Sequence, residues 1–237
     1  MEITPLGDSA LLIRVAGNFE RAPEDGLNRV LAVKRRLEAA QIPGAIEIAP
    51  AYTNVALFYD PVRAVDAGAA VENVVGWMEE RIRKALLDDR AVPLDPIPLP
   101  AMEIPVCYEP EFGFDLEHVA THASLDGKEV VHLHSAAEYR VHCVGFTPGF
   151  PFLGGLNPKL ATPRKDIPRK EIPAGSVGIG GKQTGIYPIK SPGGWNIIGR
   201  TPLRLFDPQK DPPALLRAGV RVRFRAITRE EFERAMT

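Results

Sequence analysis

The chain has 237 residues, a length that suits two domains better than one minimal domain. Its 29 basic and 30 acidic residues leave a formal charge of -1, which excludes a strong electrostatic preference for nucleic acid or an anionic membrane. The 44 Gly and Pro are spread unevenly, since 21 of them lie in residues 145–202. Because that segment also holds many large apolar residues, it predicts compact, turn-rich β structure rather than disorder.

The cysteine content and the N-terminal segment predict a cytoplasmic protein. Cys107 and Cys143 are too few for a disulfide framework, which favours a reducing compartment. Residues 1–10 lack a basic region followed by an apolar run, so we expect no secretory signal. No stretch of about 20 uncharged apolar residues is present, and we expect no membrane-spanning helix.

Residues 1–90 are predicted to form a small α+β domain. Strands are expected at 11–15, 45–49 and 53–59, and a helix at 24–41 that ends before Pro43-Gly44. A second helix is predicted by an apolar stripe with spacings of three and four residues, formed by Val71, Val74, Val75, Met78, Ile82, Ala85 and Leu86. The order predicts helices packed on one face of an antiparallel sheet.

Residues 91–105 contain five prolines and are predicted to be a linker, because proline stiffens the chain and removes backbone donors. Beyond it, residues 106–237 are expected to form a sandwich or closed barrel, since short apolar runs alternate with dense turns. A helix at 115–123 is predicted to be capped by Asp115. Residues 130–133 are compatible with a strand or a helix, and a final helix is predicted after Thr228.

Two segments imitate catalytic or phosphate-binding motifs without meeting their requirements. In residues 176–183, Ser176 stands where a phosphate loop needs Gly, and Gln183 stands where it needs Ser or Thr. Residues 174–178 imitate a nucleophile elbow, but that fold needs a His after the Ser, and the last His is His142. A tight β-turn is the favoured interpretation of this segment.

Two histidine pairs have spacings that suit a metal. His118 and His122 are predicted to share a helix face, whereas His132 and His134 are compatible with a strand face. Neither pair has a third ligand at close spacing, and we expect no metal site.

The strongest chemical signal is a group of four cations, Arg164, Lys165, Arg169 and Lys170, between prolines. Arg offers a planar fork for a carboxylate or phosphate, and Lys offers a movable point charge. A solvated hairpin tip is the alternative. Residues 183–188 and 191–196 add polar and aromatic groups beside glycine, which is how small polar ligands are commonly held. Trp195 suits core packing and a pocket wall equally.

An ordered set of short segments extends over nearly the whole chain. They are residues 7–12 (GDSALL), 139–141 (YRV), 145–150 (GFTPGF), 163–165 (PRK), 172–177 (IPAGSV), 183–188 (QTGIYP), 191–195 (SPGGW), 198–202 (IGRTP) and 205–208 (LFDP). In these segments the chain resembles the B subunit of ATP-dependent 5-oxoprolinase. This family, long labelled as the first subunit of allophanate hydrolase, includes a sensor histidine kinase inhibitor of the KipI type and is similar to part of a urea carboxylase carboxyltransferase domain.

The resemblance implies a small N-terminal α+β domain followed by a cyclophilin-like β-barrel. It also implies a heteromeric hydrolase, completed by the C and A subunits of 5-oxoprolinase, that opens 5-oxoproline to L-glutamate and uses ATP with Mg²⁺. The lone chain is then expected to be inactive. Two alternatives stay open, a binding protein that inhibits a sensor kinase and a component for carboxyl transfer to urea or allophanate. No tightly bound cofactor is expected.

The resemblance also assigns expected roles to individual residues. Arg164 and Lys165 are expected to hold an anionic group, and His134 is expected to act as an acid or base. The expected substrate pocket is formed by Phe146, Phe150, Gln183, Thr184, Tyr187, Ser191 and Trp195.

Overall fold

The computed structural model describes residues 1–17, 23–87 and 100–236. The chain divides into two compact units, Met1–Pro98 and Leu99–Thr237. Most of the predicted linker lies outside the described residues. Residues 102–105, which the sequence assigns to that linker, instead begin a strand of the second unit. That unit therefore starts before residue 106, because its first strand already buries Ile104.

The described residues of the first unit form four strands and three α-helices. They are β1 (Glu2–Pro5), β2 (Ala10–Arg14), α1 (Pro23–Ala39), β3 (Ala45–Ala51), β4 (Asn54–Tyr59), α2 (Pro61–Asp66) and α3 (Val74–Leu87). The strands form an antiparallel sheet in the order β1-β2-β4-β3. The predicted strands and helices are confirmed, whereas β1 and α2 are additions.

The core of the first unit follows from the two periodicities in its sequence. Alternation in β2 buries Leu11 and Ile13, which pack with Val30 of α1 and Ile82 of α3. Val71 belongs to the predicted apolar stripe, but it lies in a short 3₁₀ turn before α3 and is exposed. The part of the apolar stripe that lies on helix α3 therefore begins at residue 74.

Between residues 100 and 236, the second unit forms nine strands and three α-helices. They are β5 (Met102–Cys107), α4 (Leu116–Ala123), α5 (Gly127–Ala136), β6 (Glu138–Val144), β7 (Pro151–Gly154), β8 (Arg169–Ile172), β9 (Ser176–Gly180), β10 (Gln183–Ile186), β11 (Ser191–Gly193), β12 (Asn196–Arg200), β13 (Arg221–Ile227) and α6 (Arg229–Met236). Residues 130–133 therefore belong to helix α5. Residues 176–183, which resemble a phosphate loop in sequence, form the β9–β10 hairpin.

Seven of these strands close a barrel in the order β10-β7-β6-β13-β5-β12-β9, with β9 paired to β10. The α+β fold class and the closed barrel are confirmed. β13 pairs with β5 in parallel over six residues, from Val222 opposite Met102 to Ile227 opposite Cys107. The remaining two strands, β8 and β11, form a separate antiparallel pair that carries part of the candidate site.

The helix ends of this unit differ in their capping. Asp126 and Glu129 form a capping box at α5, and Thr228 and Glu231 exchange the same two hydrogen bonds before α6. Asp115 precedes α4 as predicted, but its side chain makes no capping hydrogen bond. The predicted cap is therefore wrong, because this carboxylate has other partners. Within the described residues, no helix is long and apolar enough to cross a membrane.

Candidate functional site

A cavity of about 320 Å³ lies beside the β8–β11 pair of the second unit. Its lining combines aromatic rings, two cations and glycine backbone. The lining residues are Phe146, Phe150, Phe152, Arg164, Lys165, Pro168, Tyr187, Pro192, Gly193, Gly194 and Trp195. Six of the ten predicted site residues line it. Phe152, Pro168 and Pro192 were missed, although each lies in or beside a segment that the sequence had marked.

The aromatic wall of the cavity is organised around Phe150. Its ring meets Trp195 edge to face at a centroid distance of 5.4 Å and Tyr187 at 5.1 Å. These three side chains are almost completely buried, so both expected roles of Trp195 apply, as a core residue and as a wall. The wall is therefore a rigid, largely apolar surface.

Close approach of glycine backbone fixes two rings of this wall. A Cβ at Gly180 would lie 2.6 Å from the Trp195 ring, and a Cβ at Gly193 would lie 2.2 Å from the Tyr187 hydroxyl oxygen. Real Cβ atoms essentially never come within 3.0 Å of such atoms. Glycine at these positions therefore lets both side chains pack directly against the strand backbone.

Phe146 lies at the mouth of the cavity and is the exposed member of the aromatic group, with 67% of its surface accessible. Its backbone has φ of 70°, a left-handed conformation that is rare for a bulky side chain. The ring makes an edge-to-face contact with Phe150 at 5.8 Å. This strained position places an aromatic ring beside any occupant of the cavity.

The two cations of the cavity have different surroundings. The Arg164 guanidinium lies 5.6 Å from the centroid of the Trp195 ring and has no ion pair with any described residue. The Lys165 ammonium lies 2.8 Å from a carboxylate oxygen of Asp115. Arg164 is thus available to an anionic ligand, whereas Lys165 already has an anionic partner.

Asp115 is a buried carboxylate whose contact with these cations the sequence did not predict. It is 4% exposed and receives both arms of Arg169 at 2.7 and 2.8 Å, in addition to Lys165. The backbone N–H of Ile197 also donates to it at 2.8 Å. Burial by itself would raise the pKa of Asp115, but these hydrogen bonds outweigh it and hold the pKa below the ordinary value. The carboxylate is therefore ionised at neutral pH.

His134 does not line the cavity, contrary to the expected role in proton transfer. It is fully buried on α5, with Nδ1 2.8 Å from the Tyr108 hydroxyl and Nε2 3.0 Å from the Thr184 hydroxyl. Because Thr184 donates its proton to the Gly178 carbonyl, Nε2 must donate to Thr184, and Nδ1 accepts from Tyr108. Burial lowers the pKa of His134 to about 3, so the ring stays neutral. Its two nitrogens link Tyr108 to Thr184 by hydrogen bonds.

Three other predicted pocket residues lie outside the lining. Thr184 is buried beside His134, and Gln183 is half-buried at the start of β10. Ser191 begins β11, next to the lining residues Pro192 and Gly193, and its buried hydroxyl has no hydrogen-bond partner among the described residues. The sequence placed these side chains in segments that contribute other residues to the cavity, but these three side chains do not line it.

A second cavity, of about 350 Å³, lies beside α5 and contains none of the predicted site residues. His132 lines it, whereas His134 is buried on another side of the same helix, so the two do not share the predicted strand face. In the part of the chain that the structure describes, no group of three or more His, Cys, Asp or Glu is arranged to hold a metal ion.

Comparison with known proteins gives consistent matches over nearly the whole chain. Residues 1–216 match the family model described as the carboxyltransferase domain, subdomain C and D. The chain is 44% identical over 239 residues to the 5-oxoprolinase B subunit of Bacillus subtilis (strain 168), covering 98% of this chain and 95% of that protein. It is 41% identical over 219 residues to the 5-oxoprolinase B subunit of Escherichia coli O157:H7, covering 92% and 93%.

Solved structures agree with these matches. TTHA0988 superposes with a TM-score of 0.74 at 37% identity over 92% of this chain, which spans 40% of that protein. PH0987 of Pyrococcus horikoshii gives a TM-score of 0.55 at 40% identity, covering 98% of this chain and all of that one. The Kluyveromyces lactis urea carboxylase gives 0.68 at 20% identity over 98% of this chain and 22% of that one, a likeness of fold alone.

Proposed function

Since this chain belongs to the family of 5-oxoprolinase B subunits, we propose that it is the B subunit of an ATP-dependent 5-oxoprolinase. In this proposal it acts with the C subunit to activate 5-oxoproline, and the A subunit completes the hydrolysis to L-glutamate. The observation that carries the proposal is the cavity, in which Arg164, without an ion pair to any described residue, lies against an aromatic wall.

The chemistry of 5-oxoproline matches this cavity. The molecule is a small lactam ring that bears one carboxylate. Its apolar ring face fits against Trp195 and Phe150, while its carboxylate pairs with the Arg164 guanidinium. Aromatic side chains with a few placed polar groups are typical of small-ligand sites.

The role of ATP follows from the stability of the lactam. An amide carbon in such a ring is a poor electrophile, and phosphorylation of the lactam oxygen by ATP gives water a better one. Residues 176–183 form the β9–β10 hairpin and do not supply a phosphate loop in front of a helix. We therefore assign ATP and Mg²⁺ to the complex with the C subunit, and only the substrate carboxylate to Arg164.

The experiment combines the purified chain with the C and A subunits and measures glutamate released from 5-oxoproline with and without ATP. Arg164→Gln is expected to raise KM on the order of 10- to 100-fold, since a charge-assisted hydrogen bond contributes about 1.5–3 kcal/mol. Arg63→Gln is the matched control, because Arg63 is an exposed arginine of the first unit.

Three results would overturn the proposal. They are glutamate release that does not need ATP, no release from the complete complex, and an Arg164→Gln complex whose KM equals that of the Arg63→Gln control.

A further inference from the structure

One buried carboxylate, that of Asp115, connects three separate parts of the second unit. It lies just before α4, yet its four hydrogen bonds come from Lys165, from both arms of Arg169 and from the backbone of Ile197. Two cations therefore compete for a single negative charge. Their donors are directed at Asp115, although Lys165 also lines the cavity.

The segment that carries the cations is fixed on both sides of Arg164. The Pro163 carbonyl accepts from the Asn196 side chain at 2.8 Å, and the Lys165 N–H donates to the Gly194 carbonyl at 2.7 Å. The Lys165 ammonium adds its contact with Asp115. Arg164 lies between these fixed points, and its own side chain makes no ion pair with a described residue.

We propose that Asp115 is a positioning and specificity residue, which occupies Lys165 and Arg169 so that Arg164 alone receives the carboxylate of the ligand. This inference rests on the proposed function and refines the equal roles expected for Arg164 and Lys165. It assigns the site to a ligand with one carboxylate.

The physical reason is the distribution of charge. An ammonium that already contacts a carboxylate at 2.8 Å gains little from a second anion, because the two anions repel each other. Arg164 meets no such competition and lies beside the Trp195 ring, which screens it on one side from water. If the charge of Asp115 is removed, Lys165 becomes free to bind the ligand.

The test compares two ligands, L-5-oxoproline and its neutral carboxamide, by titration calorimetry with the assembled complex. The measured quantity is the ratio of their Kd values, which reports recognition of the carboxylate only. For the wild type we expect a ratio of roughly 10 to 100 in favour of the acid. Arg164→Gln is expected to bring the ratio close to one, while Lys165→Gln leaves it within about threefold of the wild type.

The decisive measurement uses Asp115→Asn, which keeps the shape of the side chain and removes its charge. In this background Lys165→Gln is expected to lower the ratio about tenfold, although it has almost no effect beside an intact Asp115. A merely structural Asp115 would weaken both ligands equally and leave the ratio unchanged. That result, or equal losses in Arg164→Gln and Lys165→Gln, would overturn the inference.

The two proposals fail in different ways. If the wild-type complex binds neither ligand, the proposed function is wrong. If it binds the acid but the ratio depends on Lys165 as much as on Arg164, only the role of Asp115 is wrong. Should Asp115→Asn fail to fold, the comparison of Arg164→Gln with Lys165→Gln decides alone, since both retain Asp115.

Discussion

Replacement of Gly193 by alanine perturbs the wall of the cavity at one defined contact. The new Cβ would lie 2.2 Å from the Tyr187 hydroxyl oxygen and 2.8 Å from two carbons of its ring. Tyr187 is 1% exposed and its ring packs edge to face on Phe150, so moving it disturbs a buried ring contact. Overpacking of this kind costs about 1–3 kcal/mol, a large fraction of the roughly 5–15 kcal/mol that stabilises a domain.

The unfolding of the second unit can be followed by fluorescence. The chain has two tryptophans, Trp77 in the first unit and Trp195 in the cavity wall. In a Trp77→Phe background, the remaining emission reports on Trp195, which shares a buried cluster with Tyr187. With a urea m-value of about 2 kcal/mol/M, Gly193→Ala is expected to lower the urea midpoint by about 0.5–1.5 M.

Gly194→Ala is the matched control, since Gly194 also lines the cavity and is the next residue. A Cβ there would meet the Lys165 carbonyl oxygen at 3.4 Å and Pro168 at 3.7 Å, which are ordinary contacts. This variant is expected to keep the midpoint, or to gain about 0.4–1 kcal/mol from a less flexible unfolded chain. Equal midpoints for the two variants would refute the reasoning.

Two further predictions concern buried and capping groups. The folded-state pKa of His134, about 3, lies below its ordinary 6.5, so its contribution to stability is complete above pH 6.5 and is lost as pH falls towards 3. His134→Gln should therefore reduce stability at pH 7, and the stability of the variant should fall less than that of the wild type as the pH is lowered. Urea midpoints of wild type and variant that fall in parallel from pH 7 to 4 would contradict this. Thr228→Ala removes the hydroxyl that accepts from Glu231 N–H, and it should cost about 1 kcal/mol in thermal unfolding; an unchanged melting temperature would exclude the cap.

Periodic segments were the part of the fold that the sequence predicted best. The alternation of Leu11 and Ile13 and the helical spacing of Met78 and Ile82 predicted elements whose buried faces the structure confirms. Helix α2 was missed although its start carries a recognisable signal. Asp60 accepts from Val62 and Arg63, and Pro61 occupies the first turn, yet no helix was predicted after the strand at 53–59.

The candidate site was predicted in its segments but not in its contacts. Lys165 and Asp115 are 50 residues apart, and His134 and Thr184 are also 50 apart, so local pattern carries no information about either pair. Which side chain of a segment reaches the cavity is then decided by the path of the backbone around the strand ends, since Tyr187 lies just after the end of β10. Tyr187 does and Thr184 does not, although both belong to one glycine-containing motif.

The parallel pairing of β13 with β5 has a consequence for the synthesis of this protein. Met102 emerges from the ribosome 120 residues before Val222, its partner in the barrel. At about 5–20 residues per second, the delay is roughly 6–24 s. Until β13 arrives, β5 and β6 each keep one backbone edge unpaired, and such edges invite pairing with another chain. The nascent protein therefore carries unpaired strand edges throughout this interval, because the barrel cannot close before β13 is synthesised.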